Sequence, residues 1–214
     1  MKRLYERVAP TTLDGVLGQP RPVAVLSRIA ADPYSCCLLL EGPGGVGKSL
    51  SARLLAQSLG CVDDWSGLDI IIATDLTLDR AKDYFRSCRT RPMAGNGWHF
   101  LIIEELEICT SPQVQKYLKG MLDPMPCNKL IVVATSNGAG RLDNALLQRF
   151  KVLAYSDGPE FRKSCQRRIQ ILWTELCDET IPMHWENWGD DGDGGFSMRV
   201  ALNQMETYLE MTYA

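Results

Sequence analysis

The chain has 214 residues, 45% of them hydrophobic and 23% charged, with 23 basic against 26 acidic side chains for a formal net charge of −3. That length supports one sizeable domain, or a domain with a small appendage. The near-even charge balance excludes a global field that draws nucleic acid, so any such contact needs a local patch or several subunits. The cysteines stand at 36, 37, 61, 88, 109, 127, 165 and 177 without a C-x-x-C pair, and His99 and His184 are the only histidines. Reduced thiols packed as small hydrophobes are therefore expected, in place of a disulfide frame or a zinc site. The N-terminus lacks an apolar signal core and no apolar stretch approaches membrane-spanning length, which predicts a cytoplasmic protein with no membrane partner.

Residues 4–21 contain Pro10, Gly15, Gly18 and Pro20, which predict an extended arm with turns of the kind that wraps a nucleotide base; helical spacing follows over 22–31. The apolar run Cys36-Cys37-Leu38-Leu39-Leu40 predicts a strand, and it leads into Glu41-Gly42-Pro43-Gly44-Gly45-Val46-Gly47-Lys48-Ser49-Leu50. Gly42, Gly47, Lys48 and Ser49 meet the pattern G-x-x-x-x-G-K-[ST]. Its glycines let the backbone curl so that successive N–H groups point at phosphate oxygens, and the loop ends at a helix N-terminus whose dipole favours an anion. On this reading residues 42–50 cradle ATP, Lys48 reaches the β and γ phosphates, and the Ser49 hydroxyl holds Mg²⁺. A helix through Leu54, Leu55 and Leu59 then stops at Gly60.

A second strand is expected over 69–73 and a charged surface helix over 79–89, with Ala81, Tyr84 and Phe85 as its apolar face. Residues 98–103 form a third strand, nearly continuous in apolar residues as for a strand covered on both faces, and run straight into Glu104-Glu105. Ser111 caps a helix with Pro112 at its first position. A fourth strand covers 130–135 and leads into Ser136-Asn137; a short helix over 142–150 and a weaker fifth strand over 151–155 complete the alternation. The pattern predicts an open parallel α/β sheet of the P-loop NTPase type. Strand signals end after residue 156, so residues 1–156 are expected to form the core and 157–214 a helical lid subdomain, with helices over 160–177 and 198–211. The Asp190-Asp191-Gly192-Asp193 run lacks the spacing and terminal glutamate of a calcium loop and reads as a solvated turn.

Hydrolysis requires an acid that positions Mg²⁺ and a second carboxylate that orients and deprotonates the attacking water. Glu104 and Glu105, at the end of a buried strand, stand where that pair is needed. Asn137, at the tip of the next strand, is placed to bond the γ-phosphate or the lytic water. Arg149 is a candidate arginine finger supplied in trans to a neighbouring subunit, and Arg199 lies in the first turn of the last helix, within reach of the nucleotide if the lid closes.

Taken in order, these segments resemble an AAA+ ATPase of the clamp-loader type, similar to the small subunits of replication factor C and to phage and bacterial loaders, over residues 4–209. Tyr5-Glu6-Arg7-Val8-Ala9-Pro10 and Leu13-Asp14-Gly15-Val16-Leu17-Gly18-Gln19 resemble the arm that holds adenine, which implies base contacts from Val16 and Leu17. The glycine-rich loop resembles Walker A, residues 101–105 Walker B, Thr135-Ser136-Asn137 sensor 1, residues 146–150 the arginine-finger segment, and Phe196-Ser197-Met198-Arg199 with the residues after it sensor 2. The resemblance implies a homo- or hetero-oligomer of AAA+ subunits acting in DNA replication by ATP-driven assembly around primed DNA, with a sliding clamp as partner. It also places Arg80, Lys82, Arg86 and Arg89 where such subunits track a DNA backbone; a solvated helix with its own charge pairs is the other reading of that stretch.

Three departures stand out. Glu104 replaces the usual Asp, Gln148-Arg149-Phe150 keeps only the arginine of the usual finger triplet, and the sequence ends after sensor 2, where the family continues into a collar domain. A nucleotide-gated scaffold on DNA with little hydrolysis, or a remodeller of the helicase-loader type, therefore remain alternatives.

Overall fold

The computed structural model describes residues 3–138, 142–177, 180–190, 192 and 195–213. Five strands, β1 (Cys36–Glu41), β2 (Leu68–Ile72), β3 (His99–Glu104), β4 (Leu130–Ser136) and β5 (Lys151–Ala154), form one sheet in the order β2-β3-β4-β1-β5, with every pairing parallel. Successive side chains on a strand point to opposite faces, and both faces are covered. Leu38, Leu40, Phe100, Ile102, Ile131 and Val133 pack into one apolar layer with Leu26, Leu55 and Phe161. Leu39, Leu101, Ile103, Val132 and Ala134 pack into the other with Phe85 and Leu118. This double coverage is why β3 and β4 read as unbroken apolar runs rather than as alternating ones.

The helices follow the expected alternation: α2 (Pro20–Ala31), α3 (Lys48–Ser58), α4 (Leu78–Ser87), α5 (Pro112–Leu122), α6 (Asn144–Leu147), α7 (Pro159–Leu176) and α8 (Met198–Tyr213). Thr77 caps α4 through its hydroxyl, and Ser111 caps α5 with Pro112 at the first helical position. The arm departs from expectation, because it opens on a short helix, α1 (Leu4–Arg7), and later makes a single 3-10 turn at Leu13–Gly15. Four residues cannot hold a helix alone. Here Glu206 of α8 accepts the Leu4 N–H at 2.7 Å, and Leu4 is buried with Leu172, Trp173, Leu202 and Met205.

The two C-terminal helices are tied to the main core as well. Phe161, Cys165 and Ile169 of α7, together with Phe196 and Ala201, belong to the same apolar layer as Val46 of the glycine-rich loop. All eight cysteines are free, five of them buried. Among the described residues no helix is long and apolar enough to cross a membrane. The turn expected over residues 190–193 falls partly outside the described residues.

Candidate functional site

Parallel register brings three segments together. Glu41 of β1 pairs with Ser136 of β4, and Ile103 of β3 pairs with Ala134, so β3, β4 and β1 end side by side at one edge of the sheet. The glycine-rich loop leaves β1 there, the acidic turn leaves β3, and Asn137 stands just past β4. The carboxyl edge of such a sheet is where ligands bind. The loop is pinned at its start by the Gly42 N–H, which donates to the Ser136 carbonyl at 3.1 Å. Gly45 (φ 75) lies so close to Ser197 that any β-carbon there would collide with the Ser197 hydroxyl, so the first residue before α8 rests directly on the loop. Val16 approaches the other side: one of its methyls is 3.5 Å from where a Gly47 side chain would begin. Leu17 and Leu50 pack against the apolar layer below.

Lys48 opens α3 and is 8% exposed. Its ammonium donates to the Gly42 and Pro43 carbonyls at 2.5 Å each and to Asn137 Oδ1 at 2.9 Å. Burial pulls its pKa down to about 8; Glu107 and Glu105 oppose that shift, whereas Arg199 adds to it. The charge is thus held in a dry pocket by weak carbonyl acceptors, which a phosphate would outcompete. Arg199 also lies over the Tyr5 ring at 5.9 Å, so the N-terminal arm and α8 meet near this lysine.

Glu104 ends β3, and its Oε1 accepts from Arg53 Nη2 at 3.1 Å. Arg53 stands one helical turn after Ser49 on α3, on the same face. The Ser49 hydroxyl and the Glu104 carboxylate are hard oxygen donors suited to Mg²⁺. No group of three or more His, Cys, Asp or Glu able to hold a metal occurs among the described residues, and a Mg²⁺ that shares its coordination with phosphates needs no such cage. Glu105 adopts a left-handed backbone (φ 58), donates its N–H to Thr135 Oγ1 at 3.1 Å, and leaves its carboxylate exposed beside the loop.

Sequence reasoning overlooked Glu107 and Arg53. Glu107 Oε1 accepts the Asn137 N–H at 2.9 Å, while Oε2 is buried and has no hydrogen-bond partner among the described residues. In the sequence Glu107 looks like one more solvated acid of the turn.

Arg149 is not gathered into this group. Its guanidinium donates to Asp123 Oδ2 and to the Ala145 carbonyl, both at 2.8 Å, at the far end of α5. On and near α4, Arg80 pairs with Asp69 at 3.1 Å, Lys82 with Asp79 at 3.6 Å and Arg86 with Asp83 at 3.2 Å, while Arg89 is exposed just beyond the helix.

Comparison with known proteins agrees with this geometry. The profile of the family described as "ATPase family associated with various cellular activities (AAA)" matches residues 38–157. The replication factor C small subunit of Natronomonas pharaonis is 24% identical over 212 residues, which cover 96% of this chain and 62% of that protein. The protein of the same name from Methanosarcina barkeri is 26% identical over 156 residues, 70% of this chain and 45% of the relative. This chain thus spans under two thirds of the length of these relatives. Among solved structures, the Thermotoga maritima RuvB Holliday junction branch migration motor has the same fold, with a TM-score of 0.69 at 18% identity over 96% of this chain and 67% of that one.

Proposed function

The chain belongs to the AAA family of ATPases, and from that premise we propose that it binds and hydrolyses Mg·ATP at the loop around Lys48, as a clamp-loader-like subunit acting on DNA. The observation that carries the reading is the Lys48 ammonium, buried and bonded only to neutral acceptors between the loop and Asn137. On entry of a triphosphate, Lys48 exchanges those acceptors for phosphate oxygens and Asn137 is freed to meet the terminal phosphate. Glu105 orients the attacking water and takes its proton. Arg199 brings a second positive charge from the lid side, and Val16 and Leu17 line the base. Ser49 and Glu104 are the residues that would hold Mg²⁺, which would supply positive charge against the phosphate oxygens.

Arg149 completes the site of a neighbouring AAA+ subunit in this proposal, after leaving Asp123. Division of the chain into a core (1–156) and a lid (157–214) belongs to the same proposal. So does a role in DNA replication, supported by the names of the curated relatives, with a sliding clamp as partner and Arg80, Lys82, Arg86 and Arg89 as phosphate contacts. Because three of those four already have acidic partners, DNA must outcompete exposed ion pairs worth little each.

A second reading, a nucleotide-gated scaffold with slow turnover, draws on the engagement of Glu104 by Arg53. ATP turnover separates the two. Expected are a wild-type rate raised by primed DNA and clamp together, and losses of about a hundredfold or more in Glu105→Gln and Arg149→Ala. Wild-type-like rates in both variants would refute the site assignment. ATP binding without turnover under any of these conditions selects the scaffold.

A further inference from the structure

A buried carboxylate oxygen with nothing to bond is costly, and proteins keep few of them without a reason. Among the described residues Glu107 Oε2 is one; its other oxygen takes the Asn137 N–H at 2.9 Å. Asn137 in turn gives Oδ1 to the Lys48 ammonium at 2.9 Å. Three elements are linked by this short chain: the turn after β3, the tip of β4 and the first residue of α3. Glu107 is also foremost among the anions whose field favours the charged form of Lys48.

We propose that Glu107 is a positioning residue: it fixes the main chain of Asn137 so that this side chain reads the terminal phosphate, and it thereby sets a preference for nucleoside triphosphate over diphosphate. The inference rests on the nucleotide site proposed above and adds to it the residue that makes the site selective. A carboxylate repels phosphate, so Glu107 acts through Asn137 and not by contact with the ligand. The tip needs such an anchor. Asn137 is exposed and Gly138 follows it, its N–H donating to Ser136 Oγ. Among the described residues Glu107 supplies the hydrogen bond to the Asn137 N–H, from a turn 30 residues away. Without that bond the asparagine amide can rotate away from the phosphate while the loop, which holds the inner phosphates, stays intact.

The test is calorimetric titration of the full chain with ADP and with a non-hydrolysable ATP analogue, each with Mg²⁺, for wild type, Glu107→Ala, Glu107→Asp and Glu107→Gln. The Ala and Asp variants lose the acceptor or its reach. Their triphosphate-to-diphosphate affinity ratio should fall about tenfold, the worth of one well-placed hydrogen bond to a charged group, with ADP affinity not reduced. Gln keeps an acceptor for the Asn137 N–H and should retain the wild-type ratio. A purely structural role would weaken both ligands alike, and that result overturns the proposal, as does a wild-type ratio in Glu107→Asp. Should Glu107→Ala not fold, the Asp and Gln pair decides. A wild-type chain that binds both nucleotides equally sinks this inference and leaves nucleotide binding standing; one that binds neither sinks both.

Discussion

Lys48 is kept in the fold at some cost, since burial disfavours its ammonium and the bonds it makes are to neutral oxygens. Its pKa is lower in the folded chain than in the unfolded one, so the unfolded chain binds that proton more readily, and below about pH 8 the lysine works against folding. Lys48→Met should therefore lose ATP binding by about a hundredfold or more, because charge-assisted bonds to phosphate vanish, while its thermal unfolding midpoint at pH 7 does not fall. A clear fall would mean that the lysine is a structural post. Arg53 bears on the same site from α3. Its guanidinium holds Glu104 at 3.1 Å and is half exposed, so in the proposed site it would compete weakly with Mg²⁺ for the carboxylate. Arg53→Ala should lower the Mg²⁺ concentration needed for tight ATP binding by about two- to fivefold, within the range of an exposed ion pair. Arg53→Lys should leave it near wild type.

At the scale of elements, α1 shows how a segment with little helical signal of its own becomes a helix. Leu4 is 2% exposed, wedged against Trp173 and Met205, and the Glu206 carboxylate meets its N–H. Leu4→Ala should cost about 2–3 kcal/mol in urea unfolding, the usual loss for a truncated buried leucine. It should also weaken nucleotide binding, because the Tyr5 ring beside Arg199 moves with the helix. The sheet, by contrast, was readable from the chain: β3 and β4 are apolar without interruption because both faces are covered, and the spacing of Gly42, Gly47, Lys48 and Ser49 names the loop. Pairings between distant segments could not be read. Glu107 bonds Asn137 across 30 residues and Arg53 meets Glu104 across 51, and neither side chain differs in type from a solvated charge. The α1 helix escaped notice for the same reason, since its partner lies 202 residues away.

Over the whole molecule, buried thiols set the response to alkali. Burial raises Cys36 and Cys61 to about 11 and Cys37, Cys88 and Cys165 to about 12, against an ordinary value of 9.0. Above pH 9 the unfolded chain releases these protons while the folded chain keeps them, so stability is full below that pH and declines as pH rises toward the folded values. Lys48 contributes in the opposite direction between about pH 8 and 10.5, but as one group against several. The urea midpoint should therefore drop steadily from pH 9 to 11, and the buried thiols Cys37, Cys61, Cys88, Cys109 and Cys165 should resist alkylation at pH 8 until the chain is unfolded. A midpoint constant to pH 11 would contradict this burial.

The close approach of Ser197 to Gly45 ties the start of α8 to the glycine-rich loop. A phosphate that spreads the loop would press on the start of α8, to which α1 is bonded through Glu206. Filling of the pocket would then be felt on the outer surface some distance away, where a neighbouring molecule could sense it without ever touching the nucleotide.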